Sequence, residues 1–550
     1  MLICGMKLSH DGAVALLHDN RLVFSVEVEK LHNNHRYAKV PDLGLVFQLV
    51  RDYGYDPADV DHFVIDGWRR TERLEAWGGQ QVRVETAPYR RGMAHAELFH
   101  AYKLRMLDLD YLSYHHYAGH VASALCTSPA LARGEDSYVV CWDGGMFPYL
   151  YHYSVTDNRL RDLGPLFSMI GNTYQTLANR YPPFDVELPF QAFMALPGKI
   201  MSYVAKGRPS DAGRKMFADA YEQARTAVFG TGPVPDERNI DINGRNLLAE
   251  MTKRVTDVGA DPEDMLATMQ DFMGDMLLRT LTAAVDADGR RTPNLCLVGG
   301  CALNIKWNRA IRESGIAAEV WVPPFPNDAG SALGTACCAL LDSSADKALA
   351  WDVYSGPTLL PSEAAEGWMS RSCTPAELAQ ILHTRGDPVV FLSGRAELGP
   401  RALGHRSILA PAVDPAMKAR LNEVKQREPY RPVAPICLEH RASEVFDPGT
   451  ADPFMLFDQD VRSRWRDRVP AICHLDGTSR IQTVNRRQEP VVHELLTAYE
   501  HLSGIPLLCN TSANFNGSGF FPDVRSAMDW GKIPCVWSEG RLYEPVTPSS

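Results

Sequence analysis

Arginines and glycines crowd into one segment in the last third of the chain, residues 394–407, which reads GRAELGPRALGHRS. It follows the apolar run Val389–Leu392, which is typical of a strand. Glycines let backbone amides approach a ligand closely, and the planar guanidinium of arginine matches carboxylate or phosphate oxygens. The segment therefore predicts an anion-binding turn at the end of a strand, with a basic surface turn as the alternative.

Further polar blocks of the same character follow this segment. They read KQREPYRP at residues 425–432, HLDGTSRIQTV at 474–484 and NTSANFNG at 510–517. Each block places cations, amides or hydroxyls beside a short apolar run, such as residues 505–508 before Asn510. Repeated use of these donors within one third of the chain predicts a converging anion pocket.

A pair of histidines in the first part of the chain has the spacing of metal ligands. His116 and His120 stand four residues apart, so on a helix both imidazoles project from one face. Such a pair needs an acidic partner from elsewhere, and Asp328 in the turn DAGSALG is the best candidate. Two polar residues on an exposed helix face are the open alternative. The missing Glu after the first histidine excludes an HExxH metalloprotease.

Glycine-rich turns follow several apolar runs in the same region. They read SHDG at residues 9–12, DGG at 143–145, GGCALN at 299–304 and DAGSALG at 328–334. Turns between a strand and a helix are where α/β sheets bind phosphate groups. Together the turns predict a nucleotide-binding cleft.

The elements that must position these residues are alternating strands and helices. Strand-like runs at residues 2–6, 13–17, 22–26, 138–142 and 294–298 precede or join the turns. Methionines and other apolar residues at helical spacing predict a core helix over residues 262–284. The polar, proline-containing region 342–362 predicts the main domain boundary. The stretch 203–246 is interpreted as a flexible loop or part of a substrate lid.

The bulk composition is typical of an ordinary soluble globular protein. The 550 residues, 45% hydrophobic and 22% charged, can fill about three domain-sized cores. The net charge of −11 argues against extended nucleic-acid binding. No run reaches the roughly 18 apolar residues of a membrane span, and the start lacks signal-peptide features. A cytoplasmic location is therefore expected, and the twelve cysteines, with no C-x-x-C pair, are interpreted as reduced buried thiols.

These segments together resemble the O-carbamoyltransferase family of antibiotic and nodulation-factor biosynthesis, the NodU/CmcH-like proteins that include tobramycin carbamoyltransferase. The resemblance runs from the His10-Asp11-Gly12-Ala13 opening to residues 510–517, and GRAELGPRALGHRS and KQREPYRP are its most specific motifs. It implies an α/β fold with two parts. A two-lobed Kae1-like domain of the actin/Hsp70/sugar-kinase ATPase class would span residues 1–350, and a YrdC-like α/β domain would span residues 360–550.

The resemblance also implies a reaction. Carbamoyl phosphate would lose phosphate in the C-terminal domain, and the resulting carbamate would move internally to the Kae1-like site and react with ATP. The products would be carbamoyl-adenylate and pyrophosphate. A hydroxyl group of a small-molecule natural product would then attack the carbonyl carbon, and AMP would leave. The implied co-substrates and cofactors are carbamoyl phosphate, ATP with Mg²⁺, and a divalent metal ion such as Fe²⁺ in the Kae1-like site.

Residues at matching positions receive roles from the resemblance. His10 would act as general base, and the metal would be held by His116, His120 and Asp328. ATP would be bound by Asp143, Gly144, Gly299, Gly300 and Asn304. Carbamoyl phosphate would be bound by Arg395, Arg401, Lys425, Arg431, Arg480, Asn510 and Ser512, of which Lys425, Arg431 and Arg480 would also be catalytic. For Arg395 and Arg401, lining an internal path is the open alternative to a phosphate contact. The segment from Glu29 to Arg36 departs from the Lys-rich pattern of relatives, which leaves a nucleotide contact there open.

Other functions share part of the pattern. A binding or scaffold protein would not need a nucleotide cleft beside an anion pocket. A tRNA threonylcarbamoyl-type transferase would need a basic tRNA-facing surface, and an ATPase-fold sugar kinase would leave the C-terminal arginines unexplained. The preferred interpretation is a carbamoyltransferase that acts on a small-molecule hydroxyl acceptor, with no nucleic-acid or membrane partner. The acceptor, the native metal and the oligomeric state stay open, with a homodimer allowed.

Overall fold

The computed structural model describes residues 1–68, 73–77, 80–90, 99–231, 240–256, 258–290 and 292–546. The chain divides into two compact units. The first contains Met1–Ser25 and Lys39–Trp351, and the second contains Val26–Ala38 and Asp352–Ser550. The short segment Val26–Ala38 is thus part of the second unit, although the first unit surrounds it in the sequence.

The strands of the first unit form two main sheets. The strands are β1 (Leu2–Lys7), β2 (Ala13–His18), β3 (Arg21–Glu27), β4 (His62–Asp66), β5 (Arg73–Trp77), β6 (Gln80–Val84), β7 (Tyr102–Met106), β8 (Leu109–Tyr114), β9 (Ser137–Cys141), β10 (Tyr149–Ser154), β11 (Arg159–Pro165), β12 (Asn294–Val298) and β13 (Glu319–Trp321). One sheet has the order β3-β2-β1-β4-β8-β7, the other has the order β11-β10-β9-β12-β13, and β5 pairs with β6.

The two main sheets repeat one arrangement. In the first, β1 pairs with β2 antiparallel and with β4 in parallel, and β8 is parallel to β4. In the second, β9 pairs with β10 antiparallel and with β12 in parallel, and β13 is parallel to β12. This duplicated topology matches the two lobes expected of an actin/Hsp70/sugar-kinase-type ATPase domain, so the predicted α/β class is confirmed. No fixed sequence period accompanies the duplication.

Helices complete the first unit. They are α1 (Leu43–Asp52), α2 (His116–Thr127), α3 (Pro129–Ala132), α4 (Thr173–Ala178), α5 (Phe190–Tyr203), α6 (Asp211–Phe229), α7 (Ile240–Arg254), α8 (Pro262–Asp288), α9 (Ile305–Glu313) and α10 (Ser331–Ser343). α2 and α10 pack so closely that a Cβ on Gly334 would lie 2.1 Å from the Gly119 carbonyl oxygen. This approach sets the residues of α2 beside the turn that precedes α10.

Two sequence-based predictions about helices have different outcomes. The core helix expected over residues 262–284 is confirmed by α8. The loop expected over residues 203–246 is wrong for much of its length, because α6 and α7 occupy it. Ser210 caps α6 by accepting a hydrogen bond from the Gly213 amide at 3.1 Å. Residues 232–239 lie outside the described residues.

The second unit is built on one large mixed sheet. Its strands are β14 (Trp368–Ser372), β15 (Val389–Leu392), β16 (Arg406–Ala410), β17 (Ala434–Leu438), β18 (Phe446–Asp447), β19 (Gln459–Val461), β20 (Thr478–Ser479), β21 (Gln482–Val484), β22 (Leu507–Ser512), β23 (Val536–Ser538) and β24 (Arg541–Pro545). The large sheet has the order β14-β24-β23-β15-β16-β22-β17-β21, and β18, β19 and β20 form a small sheet.

The second unit also contains helices. They are α11 (Pro375–Arg385), α12 (Ala416–Val424), α13 (Ala442–Val445), α14 (Ser463–Arg466), α15 (Pro490–Ser503) and α16 (Val524–Trp530). The core includes apolar residues from β15, β16, β17 and β22 together with α11 and α15. None of the helices in the described parts of the chain is both long enough and apolar enough to span a lipid bilayer.

Candidate active site

The histidines predicted to bind metal lie on the first turns of α2. Their imidazoles are enclosed, with His116 0% and His120 1% exposed. The two Nε2 atoms are 3.1 Å apart. Asp328 Oδ1 lies 3.2 Å from His116 Nε2 and 3.5 Å from His120 Nε2. The structure brings the three predicted ligands together, and their burial excludes an exposed polar helix face.

Asp143, which the sequence analysis assigned to ATP, joins the same cluster. With His116, His120 and Asp328 it offers ligand atoms that all lie within 4.8 Å of one another. Its two carboxylate oxygens lie 3.9 Å from the Nε2 atoms of the two histidines. Two imidazoles and two carboxylates suit a divalent transition metal such as Fe²⁺. Asp143 was not predicted as a member of this cluster, because a strand followed by glycines was interpreted only as a phosphate-binding turn.

Hydrogen bonds hold the Asp143 carboxylate in position. The Gly300 amide donates to Asp143 Oδ1 at 2.8 Å, and the Tyr89 hydroxyl donates to Oδ2. Burial, followed by the nearby Asp143 charge, raises the pKa of Tyr89 well above its usual value. Tyr89 therefore stays a neutral donor and orients Asp143 without adding negative charge.

A buried lysine balances the carboxylates of the cluster. Lys7 Nζ, from β1, lies 2.9 Å from Asp66 Oδ2 and 3.0 Å from Asp328 Oδ2. Burial alone would lower the pKa of Lys7, but Asp328 and Asp66 outweigh burial and raise it. Lys7 is therefore a permanent cation between two carboxylates, and the sequence analysis did not identify it.

Asp66, at the end of β4, also orients the first histidine. Its Oδ2 lies 2.8 Å from His116 Nδ1, so that Nε2 faces the cluster. Burial would lower the pKa of His116, but Asp66 and Asp328 outweigh it and raise the pKa to about 9. The cluster therefore requires positive charge, either as a proton on His116 or as a metal ion.

His10, the predicted general base, lies beside this cluster in the turn after β1. Its Nδ1 is 2.8 Å from Asp11 Oδ2 and 3.7 Å from Asp328 Oδ2. The ring packs edge-on against Trp68 with centroids 4.9 Å apart. A proton on Nδ1 satisfies Asp11 and leaves Nε2 as the nitrogen that can accept a proton.

The two glycine turns predicted to bind ATP lie side by side. β9 and β12 are parallel neighbours, and the Trp142 amide donates to the Val298 carbonyl at 2.9 Å. Gly299 has a φ of 87°, and a Cβ there would lie 2.4 Å from the Trp142 carbonyl oxygen. Only glycine therefore permits this close approach of the turns that contain Gly144 and Gly300.

Asn304 has a structural role at the start of α9. Its Oδ1 accepts a hydrogen bond from the Trp307 amide at 3.3 Å, which makes it the N-cap. Its amide group also exchanges two hydrogen bonds of 3.1 Å with Gln270. In this arrangement Asn304 orients the helix that follows the second glycine turn.

The second unit contains a cluster of partly buried cations. It includes the predicted Arg401, Lys425, Arg431 and Arg480, together with Arg36 and Arg427, which the sequence analysis did not assign. Burial, then the neighbouring arginines, lowers the pKa of Arg427 to about 9. Burial, then Arg431, lowers the pKa of Arg480 to about 10. Protonated guanidinium groups are destabilised here, so the cluster is suited to an anion.

Lys425 is anchored by oxygen atoms. Its ammonium group donates to the Ser512 carbonyl at 2.8 Å, to the Asn514 carbonyl at 2.9 Å and to the Asn514 side chain. Ser512 Oγ donates to Asn514 Oδ1 at 2.7 Å. Lys425 and Ser512 thus shape the turn 512–514, and Asn514 is a third member for which no role was predicted.

Unpaired polar atoms accompany the cations. Asn510 Nδ2 donates to the Ala402 carbonyl at 3.0 Å and to Gln482 Oε1 at 2.9 Å. Asn510 Oδ1 and the Nε atoms of Arg401 and Arg480 are buried without a hydrogen-bond partner in the described ranges. One acceptor and two donors are therefore unsatisfied in the same region.

The Arg395 side chain binds backbone carbonyl groups. It donates from Nε to the Gly356 carbonyl at 2.9 Å and from Nη2 to the Ser355 carbonyl. Glu397, in the same segment, accepts from the amides of Leu403 at 2.6 Å and His405 at 2.8 Å. The structure therefore separates the segment 394–407 into residues that fold the turn, including Arg395, and Arg401, which joins the cation cluster.

Family models match both parts of the chain. The carbamoyltransferase N-terminus model matches residues 2–337, and the carbamoyltransferase C-terminus model matches residues 379–532.

Full-length relatives are also similar. Nodulation protein U of Rhizobium tropici is 45% identical, with 99% of this chain and 96% of that protein covered. The 3'-hydroxymethylcephem-O-carbamoyltransferase of Amycolatopsis lactamdurans is 30% identical, with 94% of each covered. Among solved structures, T. kodakarensis HypF is 11% identical over 62% of this chain and 48% of that chain, with a TM-score of 0.31. The family models and the full-length sequence relatives therefore identify the family.

Proposed function

This chain belongs to the carbamoyltransferase family, and from that premise we propose that it is an ATP-dependent O-carbamoyltransferase. In the proposed reaction carbamoyl phosphate is the donor and carbamoyl-adenylate is the intermediate. The acceptor is a hydroxyl group of a small-molecule natural product. A cephem relative is named for an O-carbamoyl transfer, which supports an oxygen acceptor here.

The single observation that carries the proposal is the composition of the cation cluster. A phosphoryl group would neutralise Arg401, Arg431 and Arg480 and would accept hydrogen bonds from the two unpaired Nε atoms. The amide of a carbamoyl group would donate to Asn510 Oδ1, the unpaired acceptor. Carbamoyl phosphate has both groups in one molecule, whereas inorganic phosphate at neutral pH would leave Asn510 less well matched.

Loss of phosphate is the first proposed step. Water bonds to the carbamoyl carbon, the bond between that carbon and the bridging oxygen breaks, and phosphate leaves, which gives carbamate and a proton. The arginines stabilise the negative charge that builds on the leaving phosphate. Lys425 keeps the turn 512–514 in place through its carbonyl contacts.

Adenylation is the second proposed step, in the first unit. A carbamate oxygen attacks the α-phosphorus of ATP, and pyrophosphate leaves. The turns at Gly144 and Gly299–Gly300 would hold the ATP phosphates, because glycines let a ligand approach the backbone closely. His116, His120, Asp143 and Asp328 would hold a divalent ion, and their close spacing and donor chemistry fit it. Such an ion supplies positive charge beside the phosphates when bound.

Transfer to the acceptor is the third proposed step. His10 takes the hydroxyl proton on Nε2, the oxygen bonds to the carbonyl carbon, and AMP leaves. Asp11 keeps the proton of the neutral ring on Nδ1 and stabilises the imidazolium that forms. Trp68 packs on the ring and limits its rotation.

Product analysis tests the proposal. Purified full-length protein with ATP, Mg²⁺, Fe²⁺ and labelled carbamoyl phosphate is expected to release pyrophosphate and AMP. Label should pass to one member of a panel of hydroxylated natural products, including a hydroxymethylcephem. ADP in place of AMP would indicate a sugar-kinase reaction, and turnover with threonine and bicarbonate would indicate a threonylcarbamoyl reaction. Either result would contradict the proposed function.

A further inference from the structure

The segment Val26–Ala38 is bound along the turn that follows β22. The Arg36 amide donates to the Gly517 carbonyl at 2.9 Å, and the Gly519 amide donates to the Asn34 carbonyl at 3.0 Å. Between them, His35 and Ser518 form an antiparallel bridge. The segment thus pairs through its backbone with residues 517–519, almost five hundred positions later in the chain.

The fit between the two segments is tight. A Cβ on Gly519 would lie 1.8 Å from the Glu29 carbonyl oxygen, so the backbones touch. Lys30 is buried and donates to Glu27 Oε1 at 2.7 Å, to the Glu397 carbonyl at 2.6 Å and to the Gly399 carbonyl at 2.7 Å. The segment is therefore attached to the turn 394–407 as well as to the turn 515–519.

A continuous path of hydrogen bonds joins this segment to the cation cluster. Asn514 Nδ2 donates to the Ser518 carbonyl at 2.8 Å, and Lys425 donates to the Asn514 carbonyl at 2.9 Å. Ser518 is the residue that pairs with His35. The backbone position of Arg36 is thus set by the same turn that anchors Lys425.

Arg36 also contributes charge to the cluster. After burial, its charge is among the causes that lower the pKa of Arg401, Lys425, Arg427 and Arg431. Guanidinium groups gathered in this way repel one another unless an anion lies among them. The local charge exceeds that needed to neutralise the two negative charges of a phosphate monoester.

We propose that Arg36 is a further phosphate-binding residue of the donor site, and that the segment Val26–Ala38 positions it there. The inference rests on the proposed function, because it assigns the same donor site. It adds that the site is made from both ends of the chain. A phosphoryl group bound by Arg401, Arg427 and Arg431 receives a further charged donor from Arg36.

Phosphate binding to the full-length protein tests this inference. Arg36→Met removes the charge and keeps an apolar side chain, whereas Arg36→Lys keeps the charge. We expect Arg36→Met to weaken binding of inorganic phosphate by about tenfold, measured by calorimetry, because one charge-assisted contact is lost. Arg36→Lys should retain part of the affinity. Arg541→Met removes an exposed arginine of β24 and should bind phosphate like the wild type.

Steady-state kinetics separate binding at this site from general damage. Arg36→Met should raise the KM for carbamoyl phosphate and leave the KM for ATP unchanged. Gly519→Ala should weaken phosphate binding in the same direction, because its Cβ displaces the segment. Thermal melting of each variant checks that it is folded.

Two failures have different meanings. Folded Arg36→Met with unchanged phosphate affinity would overturn the role of Arg36 and leave the proposed function standing. Wild-type protein that binds neither phosphate nor carbamoyl phosphate would overturn the proposed donor site, and this inference with it.

Discussion

The histidine–aspartate cluster of the first unit and the arginine cluster of the second unit contain buried charges of opposite sign. In the first, the Lys7 ammonium group lies between the carboxylates of Asp66 and Asp328, so its positive charge is stabilised by both. In the second, the arginines lie beside one another, and burial together with mutual repulsion lowers the pKa of Arg427 and Arg480. The first cluster contains much of its own counter-charge, whereas the second has Glu428 4.0 Å from Arg431 and leaves most of its cations to be neutralised by a ligand.

This difference predicts different responses to mutation. Removing a candidate metal ligand from the balanced cluster leaves fewer donors to hold a divalent ion, so both metal binding and chemistry should suffer. Removing one arginine from the repelling cluster relieves repulsion in the free protein, so the loss should appear mainly when the anion binds. Stability and binding measurements on matched variants can separate the two behaviours.

The largest expected effect comes from His116→Ala. We expect bound divalent metal, measured by elemental analysis, and pyrophosphate release from ATP to fall together, the latter by about 10³-fold or more. His18→Ala, which changes an exposed histidine, should retain both. Full metal content in the His116 variant would mean that the buried histidine pair is not a metal site.

Arg431→Ala should have the next largest effect. It should lower kcat/KM for carbamoyl phosphate by about 10²–10³-fold, because a donor to the leaving phosphate is lost. ATP binding, measured by calorimetry, should persist, since the turns proposed to bind ATP lie in the first unit. Arg541→Ala is the matched control. Unchanged turnover would show that Arg431 does not bind carbamoyl phosphate. Loss of ATP binding as well would show that donor binding and ATP binding do not depend on separate clusters.

Gly299→Ala tests the close approach of the two glycine turns that follow β9 and β12 in the first unit. Gly299 has a φ of 87°, and the added Cβ would lie 2.4 Å from the Trp142 carbonyl oxygen. We therefore expect a loss of about 3 kcal/mol in the free energy of unfolding. Gly289→Ala provides the control, because it has a φ of 70° and no neighbour within 4 Å. The control should lose only about 1 kcal/mol in urea unfolding. Equal losses would show that the close approach of the turns is unimportant.

The smallest expected effect is a pH dependence at His405. Its Nε2 lies 2.6 Å from Glu489 Oε2 and its Nδ1 lies 2.6 Å from the Arg395 carbonyl, so both nitrogens donate when the ring is charged. Burial would lower the pKa of His405, but Glu489 and Glu397 outweigh it and raise the pKa above its usual 6.5.

The sign of that dependence follows from the raised pKa. The stabilisation is fully present below about pH 6.5, where the unfolded histidine is also charged, and is lost as pH rises through the folded pKa. Urea unfolding across that range should show this decline, and Glu489→Gln should flatten it. A wild-type profile without a decline would show that His405 stays neutral.

Short-range patterns accounted for much of the first unit. The spacing of His116 and His120 predicted a shared face, because helical geometry is local, and the apolar runs before Asp143 and Gly299 are β9 and β12. The core helix α8 could also be predicted, from the helical spacing of its apolar residues. The helices α6 and α7 were missed because their exposed faces are polar, although Ser210 provides a capping signal.

Long-range pairing explains most of what the sequence could not predict. Lys7 gains its role only when β1 meets β4 and the turn at Asp328, and Asp143 becomes a cluster member only when β9 lies beside α2. Arg36 is separated from Gly517 by most of the chain. Arg395 and Arg401 differ in position by six residues, and only the folding of their turn directs one to carbonyl groups and the other to the cation cluster.

The pairing of Arg36 with Gly517 has a consequence for biosynthesis. On the ribosome, the segment Val26–Ala38 emerges long before its partner, and at ordinary elongation rates the delay is about 25–100 s. During that interval the backbone amide of Arg36 lacks its acceptor on Gly517. The first unit can begin to fold as its strands emerge. The second unit can complete its fold only after residues 517–519 have been synthesised and can pair with the segment Val26–Ala38.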